Sequence, residues 1–250
     1  MKKVLSIILA ICTVISIFAL ASCEKKEDNV LTIGMTEYAP MNYKDAEGNW
    51  TGFDTEFAIA VGEKLGMEVE FSVIEWNTKW TALSSGKIDC VWNGMTITDE
   101  ARKNASVTDP YIRNAQVVIM KADVVENYAD AEAMKDLKFA VEGSSAGLGI
   151  AKDKGFTYTE YTAMSDALLA VKAGKADACI IDITMANTMT GEGTDYDNLA
   201  YKVALTEEEY GIAFPKDSEL TAKVNKIMKE MKEDGSLQKL ADKYGVTLAD

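Results

Sequence analysis

The chain has 250 residues, 40 of them acidic and 26 basic, for a formal net charge of −14, and it contains no histidine. The acidity argues against nucleic acid as a partner. The missing histidine excludes a Ser-His-Asp triad, a Cys-His dyad and every His-ligated metal site.

Lys2 and Lys3 precede an apolar run over 4–20 that ends in small residues. The run is too short and too early for a membrane span and has the form of a signal peptide, assigned to 1–22. Leu20-Ala21-Ser22-Cys23 resembles the bacterial lipobox, in which the chain is cut before a cysteine that then carries lipid, palmitate included. Acyl chains on Cys23 would hold the protein at the extracytoplasmic face of a bacterial cell membrane. Residues 23–29 then form the lipidated cysteine and a charged tether (EKKEDN). Removing Lys2 and Lys3 leaves 24 basic and 40 acidic residues, a net charge of about −16.

The globular part predicts alternating strands and helices. A strand is expected at 31–34 and a helix at 54–65, with Asp54 capping it, Phe57, Ala58, Val61 and Leu65 at helical spacing, and Gly66 closing it. Further strands are expected at 69–74, 90–93, Lys138–Glu142 and Ala178–Asp182. Near the end, Leu220, Val224, Ile227, Met228 and Met231 form one apolar helical stripe. Asp217 or Ser218 starts that helix and Gly235 ends it. This order predicts an α/β fold with largely parallel sheets. Cys90 and Cys179 each sit in an apolar strand-like run. A disulfide between them is one reading; two separate, buried free thiols is the preferred one.

The segment Ala82-Leu83-Ser84-Ser85-Gly86-Lys87-Ile88-Asp89 is matched by Ala170-Val171-Lys172-Ala173-Gly174-Lys175-Ala176-Asp177. In both, a helix ends at glycine, a turn follows and an apolar strand begins. Five residues past each turn aspartate lie Gly94 and Asp182. Two similar lobes are expected, with these residues at equivalent strand ends, where open α/β sheets bind ligands.

Gly52-Phe53-Asp54, Trp76, Ser85-Gly86-Lys87-Ile88-Asp89, Asn93-Gly94-Met95-Thr96-Ile97-Thr98 and Asp109-Pro110-Tyr111 together resemble the polar amino-acid solute-binding proteins of ABC transporters, solute-binding protein family 3. The resemblance implies a two-lobed, type II periplasmic-binding-protein-like fold. Each lobe would be a mixed, mainly parallel sheet flanked by helices, with two hinge strands between the lobes. It places lobe one at 30–118 plus 212–250 and lobe two at 119–211, with hinges near 118–121 and 210–213.

The resemblance also suggests a ligand site. Asp182, ending an apolar run, is the expected partner of a ligand ammonium; a helix N-cap is its other reading. Asn93, Gly94 and Thr96 offer close approach and donors, and Ser144 and Ser145 open a helix whose free N–H groups suit a carboxylate. Tyr38 and Trp76 match aromatic positions that sandwich the ligand's carbon skeleton. The family has arginine three residues after the second threonine of its Thr-Ile-Thr segment, where this chain has Ala101. An insertion of one residue makes Arg102 the expected carboxylate partner, with Lys103 and Arg113 as alternatives.

The expected function is capture of a polar amino acid and its delivery to an ABC permease by a monomeric lipoprotein, without cofactor, metal or catalysis. The alternatives are a sensory ligand-binding lipoprotein and a dehydratase-like enzyme on the same fold.

Overall fold

The computed structural model describes residues 29–250. The expectations for the signal peptide, the lipidated cysteine and most of the tether lie outside the described residues.

The first strand, β1 (Val30–Met35), leads through a short hairpin, β2 (Tyr43–Lys44) and β3 (Trp50–Thr51), into helix α1 (Phe53–Leu65). Gly66 closes this helix in the left-handed conformation, as the spacing predicts. Its start differs from expectation. Gly52, not Asp54, holds the N-cap position, and no side chain caps the helix. The first-turn N–H groups of Phe53 and Asp54 donate instead to the carbonyls of Pro40 and Met41, at 2.8 and 2.9 Å. With those donors satisfied by the preceding loop, the Asp54 carboxylate turns inward. It is fully buried, and Oδ2 accepts from Gly94 N at 2.6 Å and Tyr111 Oη at 2.9 Å. Burial pushes its pKa up to about 7, partly offset by the Gly94 and Tyr111 donors.

Strand β4 (Glu68–Val73), helix α2 (Lys79–Ser84), strand β5 (Cys90–Thr96), helix α3 (Asp99–Asn104) and strands β6 (Ser106–Val107) and β7 (Ile112–Asn114) follow. The chain then enters β8 (Gln116–Lys121), β9 (Lys138–Glu142), helix α4 (Ala146–Asp153), β10 (Thr157–Tyr161), helix α5 (Met164–Lys172), β11 (Ala178–Asp182), helix α6 (Ile183–Met189) and β12 (Leu199–Ala204). It closes with β13 (Glu208–Phe214), α7 (Glu219–Glu233) and α8 (Ser236–Tyr244). Ser218 caps α7, and Val224, Ile227, Met228 and Met231 are its buried residues.

One sheet has the order β4-β1-β5-β13-β6, with β7 also paired to β13; the other has the order β10-β9-β11-β8-β12. Both are mixed. β1 pairs parallel with β5, and β9 pairs parallel with β10 and β11. β8, β12 and β13 pair antiparallel. In the second sheet Val117, Ile119, Cys179 and Ile181 pack into one apolar cluster and Val118, Met120, Ala178 and Ile180 into another. Apolar residues therefore occupy both faces, which is why these strands read as continuous apolar runs. Cys90 and Cys179 are both buried, and no disulfide joins them.

The internal repeat is structural. Gly86 and Gly174 take left-handed φ values of 73° and 70°. Asp89 exchanges hydrogen bonds with Thr32, and Asp177 does the same with Lys138, each using its carboxylate and its own N–H. Each aspartate thus fixes the register of its strand against the neighbouring parallel strand.

The exchange between sheets falls a few residues before each expected hinge. β8 pairs wholly within the second sheet and β13 wholly within the first, so the chain crosses between Asn114 and Gln116 and returns between Ala204 and Glu208. Strand pairing decides these points, and the apolar runs continue past them without a break in pattern.

Folded Asp54 keeps its proton to higher pH than the unfolded chain, so the native state binds more protons between about pH 4 and 7 and loses stability as pH rises through that window. Asp54→Asn should remove this component. Between pH 5 and pH 8 the wild type should lose on the order of 2 kcal/mol more than the variant in chemical denaturation; equal losses would show that Asp54 does not titrate this way.

Candidate functional site

A cavity of about 440 Å³ lies where the ends of β5 and β11 face each other, lined by residues attached to both sheets. That volume falls in the range of small-molecule sites, about 300–1,000 Å³. Trp76, Asn93, Gly94 and Thr96 line it from the first-sheet side, and Ser144, Ser145 and Asp182 from the second. Gly94 sits within β5 at φ 55°. An added Cβ there would lie 2.6 Å from Tyr38 Cε1 and 3.0 Å from Tyr210 Cε2, so only glycine lets the strand run between these rings. Asn93 is buried; its amide exchanges hydrogen bonds with Thr36 and donates to Asn42 Oδ1 at 2.7 Å.

Asp182 is buried and holds the N-cap position of α6, but its side chain makes no capping hydrogen bond. Its Oδ1 instead accepts from Gln116 Nε2 at 2.8 Å, Tyr210 Oη at 2.7 Å and the Asn114 amide. The same two amides donate to Glu208 Oε1, at 2.6 Å from Asn114 and 2.8 Å from Gln116, and Thr96 Oγ1 adds a third donor at 2.9 Å. Two carboxylates therefore share donors at the crossings. Burial first and Glu208 second push the Asp182 carboxyl well above the usual range.

Two expected contacts fall elsewhere. Tyr38 is buried behind the cavity and does not line it; its hydroxyl bonds to Thr184 and, at 2.6 Å, to Tyr210. The backbone turn at Tyr38, whose carbonyl accepts from Met41 N and Asn42 N, draws the ring inward. Arg102 is exposed on α3 and does not line the cavity, and Lys216 Nζ donates to its carbonyl. Thr98 caps α3 through Ala101 N, which turns Ala101 to the cavity and Arg102 away from it. Lys103 is also exposed, and Arg113 pairs with Asp250 at the surface.

Sequence reasoning missed Lys79, Glu142 and Glu208, all of which line the cavity. Glu142 ends the apolar strand β9 as Asp182 ends β11, so the signal that singled out Asp182 was present there too. Its Oε1 is buried without a hydrogen-bond partner, and its pKa is pushed to about 8 by burial and by Asp182, against the opposing pull of Lys79. Lys79 and Glu208 carry no local signal. Among the described residues no cluster of three or more Cys, Asp or Glu could hold a metal ion.

Residues 31–247 match the model of the bacterial extracellular solute-binding proteins, family 3. The chain belongs to that family. It is 32% identical to the arginine-binding extracellular protein ArtP of Bacillus subtilis, over 98% of both chains, and 30% identical to the L-cystine-binding protein TcyA of the same organism, over 98% and 97%. Among solved structures it resembles an ancestral arginine-binding protein bound to arginine, with a TM-score of 0.77 and 32% identity over 86% of this chain and 98% of the other. As a family 3 solute-binding protein it is extracellular, with the type II periplasmic-binding-protein fold, and it binds its solute rather than transforming it.

In this family 3 protein Gly94→Ala places a methyl against two buried tyrosine rings in a left-handed backbone. It should destabilise the fold by about 2 kcal/mol in urea denaturation. An unchanged midpoint would mean the rings move aside freely.

Proposed function

We propose that the protein captures an α-amino acid of net positive charge in the interlobe cavity and hands it to an ABC permease. In this reading lipid on Cys23 tethers it to the outer face of the cell membrane. One observation carries the charge preference: the lining contains Glu100, Glu142, Asp153, Asp182, Glu207 and Glu208 but a single basic residue, Lys79. A dehydrated zwitterion leaves such a wall with excess negative charge, and a ligand with a second cation neutralises more of it. The arginine-binding names of several relatives agree with this preference.

Asp182 is assigned to the ammonium, because its carboxylate is oriented by three donors before any ligand arrives. Glu142 is assigned to the additional cation, because one of its oxygens has no partner in the protein. Thr96 and the start of α4 supply donors around the carboxylate. Lobe one is taken as the first sheet with α1–α3, α7 and α8, and lobe two as the second sheet with α4–α6. The crossings at 114–116 and 204–208 then act as hinges, and ligand contacts that exist only when both lobes meet shift the equilibrium toward closure.

Asp182 and Glu142 hold protons above the usual carboxylate range, and a bound cation favours their ionised forms. Binding at pH 7 should therefore release protons, measurable by calorimetry in buffers of different ionisation enthalpy. In a thermal-shift panel of the twenty amino acids, arginine, lysine or histidine should raise the melting temperature more than citrulline or glutamine. Asp182→Asn keeps an acceptor for the crossing amides and should weaken binding by roughly two orders of magnitude or more. A panel with no response would overturn the functional reading, and an unweakened Asp182→Asn would overturn the ammonium assignment.

A further inference from the structure

We infer that Lys79 takes the ligand's carboxylate, replacing from a neighbouring helix the arginine that the family pattern puts where this chain has Ala101. The inference deepens the functional reading above and rests on it.

The missing guanidinium leaves a defined gap. Ala101 presents only a methyl to the cavity, and Arg102 is exposed and does not line it. Lys79, the first residue of α2, fills the need from another direction. It is 4% exposed, and its Nζ lies 4.5 Å from the Trp76 ring centre and 5.3 Å from that of Trp80. These faces favour a cation and exclude water from it. Nζ donates to Trp76 O at 3.2 Å and across the cavity to Ser144 O at 2.9 Å. An ammonium has three donors, so one remains. Among the described residues no carboxylate comes within 4.0 Å of Nζ, so its charge is not already spent on an ion pair.

The position across the cavity suits an anion as well. Ser144 has a left-handed φ of 57° and immediately precedes the cap of α4, where Ser145 Oγ satisfies Leu148 N. The N–H groups of Ala146 and Gly147 belong to the first turn, which has no intrahelical acceptors, and the helix dipole is positive there. A carboxylate beside Nζ therefore meets an ammonium attached to the first sheet and a helix start attached to the second. Burial lowers the Lys79 pKa to about 8, with Glu100 and Glu142 opposing the shift, and a bound carboxylate would stabilise the charged form further.

The test compares a ligand that has the carboxylate with one that lacks it. Binding of L-arginine and L-argininamide, and of L-histidine and L-histidinamide, is measured by calorimetry on wild type, Lys79→Met, Lys79→Arg and Arg102→Ala. Lys79→Met should weaken the amino acids by roughly tenfold to a hundredfold while changing the amides little, so that the preference for acid over amide collapses. Lys79→Arg should restore much of that preference, and Arg102→Ala should bind as wild type does. Equal weakening of acid and amide by Lys79→Met would reduce Lys79 to a latch between the lobes and overturn the assignment, as would full retention of acid binding. Loss of the preference in Arg102→Ala would return the carboxylate to Arg102. If wild type binds neither amino acid, the functional reading itself fails and this assignment falls with it.

Discussion

Two carboxylates, Asp182 and Glu208, sit together at the crossings between the sheets, and the amides of Asn114 and Gln116 donate to both. Two carboxyl groups this close, one of them buried, need fixed donors around them, and burial together with Glu208 pushes the Asp182 carboxyl well above the usual range. The donors come from the two residues that flank the crossing at Ala115, and Tyr210 on the returning strand supplies another. The chain's passage between sheets and the polarity of its cavity are therefore one arrangement. The cavity lining carries six acidic side chains and one basic one, Lys79.

The same economy recurs around the strand ends. Asp54, released from capping by loop carbonyls, holds the N–H of Gly94 and so fixes the point where β5 meets the cavity. Gly94 in turn lets Tyr38 and Tyr210 close behind it, and their hydroxyls meet Thr184. Tyr38 and Tyr210 thus join the two halves behind the cavity instead of lining it. Trp76 and Trp80 remain at the cavity, where they flank Lys79. The two walls differ in kind: one is rich in carboxylates held by amides, the other is an ammonium framed by indoles and faced by a helix start.

Much of this was legible in the chain itself. The strands at Lys138–Glu142 and Ala178–Asp182 and the helix ending at Gly66 follow from apolar runs and from a glycine where that helix needs a left-handed turn to end. The repeat located both strand ends because Asp89 and Asp177 perform one local task, bonding the adjacent parallel strand. The crossings were placed a few residues late, since strands buried on both faces give an unbroken apolar pattern with no mark where one sheet hands over to the next. Arg102 was expected in the cavity because spacing counts residues along the chain, whereas the Thr98 cap sets the rotation of a six-residue helix and turns Ala101 inward instead.

The sequence by itself determined the fold class, the internal repeat, the exclusion of histidine chemistry and the position of Asp182 as an acidic residue that ends an apolar strand. Each of these is local, carried by periodicity, turn residues or residue type. Only the tertiary structure decided which charges share the cavity. Lys79, Glu142 and Glu208 lie far apart in sequence, and their meeting depends on how two sheets close across a cleft, a geometry that long-range packing sets and no local pattern records.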